Sequence, residues 1–129
     1  MSQQFKLEII SPEKIIYSSE PTEVVIPSYE GYMTILYDHS ALVTFLRPGV
    51  IEVKGNETKK FFIEEGTVEF SDNKMLILTN TTIDIKELNK EKIDKMIELS
   101  QKTLREDNLN DKKKFILSHK VEVLRMINQ

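Results

Sequence analysis

The chain has 129 residues, of which 40% are hydrophobic and 30% are charged, a composition that indicates one soluble domain or one small domain with an appendage. It contains no cysteine, which excludes disulfides, thiol nucleophiles and cysteine metal sites, and its net charge of −3 argues against a dedicated nucleic-acid-binding protein. We expect no membrane span, since no apolar run approaches roughly 20 residues, and no signal peptide between Met1 and Ser11.

Charge is distributed unevenly along the chain. Residues 1–85 carry 7 Lys or Arg and 13 Asp or Glu, which gives −6, whereas residues 86–129 carry 11 and 8, which gives +3. This asymmetry predicts two units with different electrostatic partners. We place the first unit at residues 1–84 and the second at residues 85–129.

The first unit has the pattern of a series of short strands. Phe5, Leu7 and Ile9 alternate with polar residues, as in a half-buried strand. Further apolar segments, separated by turn residues, lie at residues 14–17, 23–26, 61–63, 68–70 and 75–78. Pro27 is expected to end or edge its strand, because proline cannot donate to a ladder. About nine or ten such strands predict an antiparallel β-sandwich or barrel.

Residues 29–53 are the most distinctive stretch of this unit. Glu30-Gly31 and Pro48-Gly49 are turn signals, since glycine adopts backbone angles that other residues resist. Between them a polar tetrad, Tyr37 to Ser40, separates two apolar strands. We interpret the tetrad as a corner presented to a partner, with an ordinary β-turn as the alternative.

The second unit has the pattern of a helical hairpin. It contains neither glycine nor proline after Glu87, and apolar residues recur at spacings of three and four from Ile93 to Leu104 and again from Ile116 to Ile127. Asn89 is the predicted N-cap of the first helix, and turn formers at residues 107–111 separate the two helices. A hairpin of about 45 residues buries too little surface to fold well alone, so we expect it to dock on the sandwich or on another protein.

Residues that suggest catalysis or metal binding are few. Asp38-His39-Ser40 has the residue types of a hydrolase triad, but neighbours along a strand point to opposite faces and cannot form the relay. The two histidines, His39 and His119, lie in different units without companions at zinc-ligand spacing, and we expect His119 to be solvated. Neither standard nucleotide-binding glycine motif is present.

Taken together, the strand order, residues 29–53 and the helical hairpin resemble the epsilon subunit of bacterial F-type ATP synthases. The resemblance covers essentially the whole chain. The residues that carry it are Glu30-Gly31, Ile35, His39, Leu42 and Pro48-Gly49-Val50-Ile51, with support from Leu7 to Pro12, Phe61, Gly66, Val68 and Met75 to Leu78.

This resemblance implies a ten-stranded β-sandwich followed by two helices. It also implies a non-catalytic rotor subunit of the central stalk, on the cytoplasmic face of the bacterial inner membrane. Such a subunit binds the gamma subunit and the c-subunit ring and helps to couple proton flow to ATP synthesis. In many members the helical pair swings between a compact form and an extended form that restrains ATP hydrolysis by the alpha and beta catalytic subunits.

Several positions depart from the family pattern. The acidic residue that faces the ring in relatives is Tyr32 here, and the Pro-Gly before the histidine is Tyr37-Asp38. We therefore expect the partner contact to use Glu30, Gly31, Tyr32, Asp38 and His39, with Asp38 as a relocated acid.

The family's ATP-binding motif, Ile/Leu-Asp-x-x-Arg-Ala, is also altered. Asn89, Lys92 and Ile93 replace its Asp, Arg and Ala. Lysine lacks the planar fork of arginine, and isoleucine occupies space that alanine leaves open. We expect no ATP binding to the hairpin and no other cofactor.

The basic hairpin fits the family's inhibitory mode. The candidate contacts with an acidic segment of a catalytic subunit are Lys112, Lys113, Lys114, Lys120 and Arg125. Docking of the same basic surface on the acidic sandwich is equally compatible with these charges. Two other functions remain open from the residues alone: a stand-alone β-sandwich adaptor whose helices bind an unrelated partner, and a small hydrolase using Asp38, His39 and a distant carboxylate.

Overall fold

A computed structural model describes residues 3–128, which form ten β-strands followed by a short 3-10 helix and two α-helices. The strands are β1 (Lys6–Ile10), β2 (Ile15–Ser19), β3 (Glu23–Ser28), β4 (Gly31–Leu36), β5 (Leu42–Leu46), β6 (Gly49–Lys54), β7 (Thr58–Ile63), β8 (Gly66–Ser71), β9 (Lys74–Leu78) and β10 (Thr82–Asp84). The 3-10 helix spans Ile85–Glu87, α1 spans Lys90–Leu104 and α2 spans Asp111–Ile127. None of the helices in this range is long and apolar enough to cross a membrane.

The ten strands form one hydrogen-bonded network in the order β10-β7-β6-β3-β5-β8-β9-β1-β2, with β4 paired to β3 outside this path. The network folds into two packed halves, which we call sheet A (β10-β7-β6-β3-β4) and sheet B (β5-β8-β9-β1-β2). The sheets are joined where β5 passes into β6 at Arg47-Pro48, and a single pairing of Ser28 with Leu46 links β3 to β5. The predicted sandwich of about ten strands is thus confirmed.

One strand pairing differs from the antiparallel expectation. β1 and β9 run parallel, from Lys6 opposite Lys74 to Ile10 opposite Leu78, whereas the other strand pairs within residues 3–128 are antiparallel. A parallel pair is possible here because the two strands are far apart in the chain and need no tight hairpin.

The core lies between the inner faces of the two sheets. Alternate residues of each strand point inward, and for this reason Phe5, Leu7 and Ile9, which alternate with polar residues, are all buried. The other core members from β3 to β9 are Val24, Ile26, Ile35, Leu46, Ile51, Val53, Phe61, Ile63, Val68, Phe70, Met75 and Ile77. Burial of this set supplies the main driving force for folding of the sandwich.

Two glycines in the distinctive stretch are required by the backbone. Gly31 has φ of +124°, a conformation that residues with a Cβ rarely adopt. A Cβ on Gly49 would lie 2.5 Å from Cβ of Pro27, so only glycine allows this approach of β6 to β3. Both turn signals therefore reflect backbone geometry.

Pro27 lies inside β3, which contradicts the expectation that it ends or edges the strand. It stands opposite Tyr32 of β4, and its carbonyl accepts a hydrogen bond from Arg47 N at 3.0 Å. Because the N–H and C=O groups of one strand residue point to the same side, the missing N–H of Pro27 faces away from β4. The β3–β4 ladder therefore loses no hydrogen bond.

The two helices form the predicted hairpin and pack on the outer face of sheet A. Asn89 is the N-cap of α1, as predicted, and its side chain accepts from Lys92 N at 2.8 Å. Phe62 of β7 is buried among apolar residues of both helices, including Ile93 and Leu124. Docking on the sandwich, one of the two alternatives, is what the structure shows.

Candidate partner-binding surfaces

The Glu30-Gly31-Tyr32 turn lies at one end of the sandwich, which we call the turn end. Glu30 is exposed. Tyr32 is 55% exposed, its hydroxyl accepts from Val50 N at 3.4 Å, and the Arg47 guanidinium lies 5.1 Å from its ring centroid. The aromatic ring of Tyr32 therefore forms a cation–π contact with the Arg47 guanidinium.

The polar tetrad is held in place by the turn between β8 and β9. Asp38 has φ of +63°, which aspartate tolerates better than most residues. Its backbone N–H donates to Asn73 Oδ1 at 2.6 Å, and Asn73 Nδ2 donates to Asp38 Oδ1 at 2.8 Å. The tetrad is therefore an ordered turn, and one carboxylate oxygen of Asp38 already accepts a hydrogen bond from Asn73.

His39 is half-buried in this corner. Its ring packs edge-to-face on Phe70, with centroids 5.9 Å apart, and its Nδ1 lies 2.8 Å from the Ser40 carbonyl oxygen. Since a carbonyl only accepts, Nδ1 is the donor. His39 therefore bonds to the backbone and not to the Asp38 carboxylate, which rules out the relay of a catalytic triad.

The residues expected to form one partner contact lie at two separate places. Glu30, Gly31 and Tyr32 are at the turn end, whereas Asp38 and His39 are at the opposite end of β4. Six strand residues at about 3.3 Å each separate the two groups by about 20 Å. The structure does not bring them together, and Asp38 is not beside the position that Tyr32 takes from the family acid.

The outer face of sheet B carries an apolar row that the sequence reasoning missed. The strand register aligns Phe45, Thr67, Leu78, Ile10 and Ile15 side by side. Phe45 and Ile15 are 62% and 59% exposed, and Val43, on the same face of β5, is 69% exposed. We call Val43, Phe45, Leu78, Ile10 and Ile15 the apolar face. β5 has apolar residues on both faces, so its periodicity did not show which ones remain in solvent.

Helix α2 contacts the turn end through Phe115 and Lys120. Lys120 Nζ lies 3.0 Å from Glu64 Oε1, and the Phe115 ring packs edge-to-face on Tyr29 with centroids 5.4 Å apart. His119 is half-buried, with its ring 4.0 Å from that of Phe115, so the expectation that it is solvated is wrong. Phe115 lies one helical turn before His119 on the same face of α2, so its ring covers part of the His119 side chain.

The remaining basic residues named from the sequence are exposed on α2. Lys112, Lys113 and Lys114 lie in its first turn and Arg125 in its last. Lys112 lines a cleft of about 740 Å³ between α2 and the sandwich, together with Glu64 and Glu65. Lys120 thus binds the sandwich, whereas the other four basic side chains face solvent.

The residues at the start of α1 have structural roles. The Asn89 side chain caps the helix, Lys92 is exposed, and Ile93 is 2% exposed beneath α2 and Phe62. Ile93 therefore fills the space that a smaller residue leaves open.

Electrostatic perturbation is concentrated where the sandwich meets the hairpin. The backbone N–H of Lys86, 2.9 Å from Asp84 Oδ1, and the Lys59 ammonium, 3.3 Å from Oδ2, hold the pKa of the Asp84 carboxyl below its usual value of 3.8. Asp84 in turn raises the pKa of Lys59. On the neighbouring strand β6, Glu23 and Glu52 raise the pKa of Lys54, which follows the residue paired with Lys59.

Known proteins resemble this chain in sequence and in fold. The family model for the beta-sandwich domain of the ATP synthase Delta/Epsilon chain matches residues 4–85. The ATP synthase epsilon chain of Pelagibacter ubique is 37% identical over 99% of this chain and 100% of its own length. The epsilon chain of Rhizobium etli is 32% identical over 92% of this chain and 89% of its own length.

Solved structures share the whole architecture. A chain of the Euglena gracilis mitochondrial ATP synthase superposes with a TM-score of 0.74 at 20% identity, covering 97% of this chain and 79% of its own. A chain of the Tetrahymena thermophila central stalk and c-ring superposes with a TM-score of 0.68 at 16% identity, covering 99% and 98%. The sequence matches extend over nearly the full length, and the chain belongs to the family of ATP synthase epsilon chains.

Proposed function

We propose that this chain is a non-catalytic rotor subunit that binds the gamma subunit and the c-subunit ring and couples proton translocation to ATP synthesis. It works as a peripheral subunit on the cytoplasmic face of the bacterial inner membrane. Residues 1–84 form the partner-binding domain, and residues 85–129 form a hairpin that docks on it. Membership of the epsilon chain family supports this role.

The apolar face carries the proposal. Soluble monomers seldom leave several large apolar side chains exposed side by side, and such patches mark binding surfaces. The row from Phe45 to Ile15 crosses all five strands of sheet B, and its Phe45 and Leu78 side chains also line the cleft beside α2. We assign this face to the gamma subunit, which covers it in the assembled stalk.

Co-expression with the gamma subunit tests this assignment. Phe45→Glu places a charge in the centre of the apolar face and is expected to abolish co-purification. Leu99→Glu is the matched control, because Leu99 is 66% exposed on α1 and is not part of the apolar face, and it should leave the complex intact. Stable binding of gamma by a folded Phe45→Glu variant would show that the apolar face is not the gamma-binding surface. Absence of binding by the wild-type chain would reject the proposed rotor function itself.

The turn end is the proposed contact with the c-subunit ring. Glu30 is exposed there, and the Tyr32 ring and Arg47 guanidinium form a cation–aromatic pair beside it. The charged and aromatic groups of this surface can form hydrogen bonds and packing contacts with a polar loop of the c-subunit ring. Glu30→Lys should weaken binding to isolated rings in nanodiscs and leave binding to gamma unchanged; equal loss of both would show that the two partners share one surface.

The hairpin is proposed to restrain ATP hydrolysis when it leaves the sandwich. Lys112, Lys113, Lys114 and Arg125 are exposed in the docked state and remain available to acidic segments of the alpha and beta subunits. Replacing the three lysines by glutamine should raise the ATPase rate of the assembled enzyme. An unchanged rate would reject inhibition through this cluster. These variants test it better than truncation, which would expose Phe62.

A further inference from the structure

The free edge of β4 is the strongest feature outside the surfaces described above. β4 pairs with β3 on one side only. The Pro27 carbonyl faces Arg47, so Pro27 and Tyr32 form a pair without mutual hydrogen bonds, and the alternation of an antiparallel ladder extends this to Thr34 and Leu36. The backbone N–H and C=O groups of these three residues therefore point to the outer edge.

Nothing within residues 3–128 pairs with this edge. Among its backbone groups only the Leu36 carbonyl is used, as an acceptor for His39 N at 3.1 Å. β4 has six residues, more than the other three strands that end a sheet, and it contains no charge, no proline and no bulge. Charged residues, proline and bulges are the usual protection of exposed edges, so this edge is open to another strand.

The charges at the two ends of β4 indicate which strand fits. Glu30 precedes β4 and Asp38 follows it, and neither forms an ion pair in the described residues. Antiparallel pairing with a second copy, centred on Thr34, would bring Glu30 at one end of β4 next to the turn that carries Asp38 of that copy. Like charges opposite each other destabilise a sheet, so self-pairing is disfavoured and a strand with basic ends is favoured.

We propose that the free edge of β4 binds an extended segment of a partner protein by β-augmentation. The segment is uncharged at its centre and carries Lys or Arg at both ends. Main-chain hydrogen bonds to Tyr32 and Thr34 provide affinity, and Glu30 and Asp38 select the basic ends. This site goes beyond the proposed contacts with gamma and the ring, and it is defined by backbone geometry.

A peptide of alternating threonine and valine, flanked at both ends by lysines, is the probe for the full-length chain. Thr34→Pro removes the central edge donor without touching the β3–β4 ladder, as Pro27 already does in β3, and is expected to lower peptide affinity about tenfold or more. Thr34→Val, which keeps the amide, should bind as the wild type does. A peptide flanked by glutamates should not bind.

Amide hydrogen exchange on the wild-type chain provides a second test, which does not depend on whether the Thr34→Pro variant folds. On binding of the lysine-flanked peptide to the wild-type chain, the amides of Tyr32 and Thr34 should become protected, whereas that of Met33, already paired with β3, should change little. Equal binding of both peptides, undiminished binding by a folded Thr34→Pro variant, or no protection at Tyr32 and Thr34 would overturn the proposal. So would self-association of the chain that Thr34→Pro abolishes, because the occupant would then be a second copy.

Discussion

Lys120 Nζ lies 3.0 Å from Glu64 Oε1, and the two side chains are only 15% and 26% exposed. This ion pair joins α2 to the turn between β7 and β8, beside the packing of Phe115 on Tyr29. The sandwich and the hairpin are thus held together by a charge pair at Lys120 and an aromatic pair at Phe115. The apolar cluster around Phe62 is a further contact.

We predict that Glu64 and Lys120 stabilise the docked hairpin more than other ion pairs of the chain do. A double-mutant cycle with Glu64→Gln and Lys120→Met should give a coupling of about 1 kcal/mol in urea unfolding, near the upper end for partly exposed pairs. The control pair is Glu91 and Lys95 on α1, which are 78% and 75% exposed, and its coupling should be about 0.3–0.5 kcal/mol. Equal couplings would contradict a specific role for Lys120.

The docking contacts also show what sequence patterns reveal and what they do not. Short-range signals predicted the strands, the two helices and the Asn89 cap, because alternation and capping depend on neighbours in the chain. The Glu64–Lys120 pair joins residues far apart in sequence, and no local pattern points to it. The separation of Tyr32 from Asp38 follows from the rise of β4 alone, so that error was avoidable. The exposure of Phe45 was not predictable, since both faces of β5 are apolar.

Asn73 is predicted to fix the polar tetrad. Asn73→Gly keeps the left-handed backbone, with φ of +58° in the wild type, but removes the two hydrogen bonds to Asp38. The expected loss of unfolding free energy is about 1–2 kcal/mol. Asp72→Gly is the matched control, because Asp72 has φ of +50° and no side-chain hydrogen bond to the tetrad, and it should be nearly neutral. Similar losses in both variants would show that the turn backbone, and not the bonds to Asp38, is responsible.

The hairpin is predicted not to bind ATP. Ile93 is buried under α2, and the Asn89 side chain already bonds to Lys92 N. At about 1 mM ATP, a site of micromolar affinity would add about 4 kcal/mol to the free energy of unfolding. We expect no change in the melting temperature with ATP, and no heat of binding in calorimetry. Micromolar affinity in either measurement would contradict the prediction.

Asp84 is predicted to make part of the stability depend on pH in the acid range. Because its folded pKa lies below the usual 3.8, its contribution is fully present above 3.8 and is lost as the pH falls through the lower folded value. Asn is also a good N-cap, so Asp84→Asn keeps the cap and removes the titration. The difference in unfolding free energy between wild type and Asp84→Asn should therefore be constant at neutral pH and change only below 3.8.

The same titration distinguishes the two groups that act on Asp84. The hydrogen bond from Lys86 N is the largest single cause of the lowered pKa, and the Lys59 ammonium contributes both by a hydrogen bond and by its charge. Lys59→Met should therefore reduce the acid-range pH dependence and leave the part that the Lys86 N–H supports. If that variant loses the pH dependence as completely as Asp84→Asn does, the ion pair controls the carboxyl, and the backbone cap of the 3-10 helix does not.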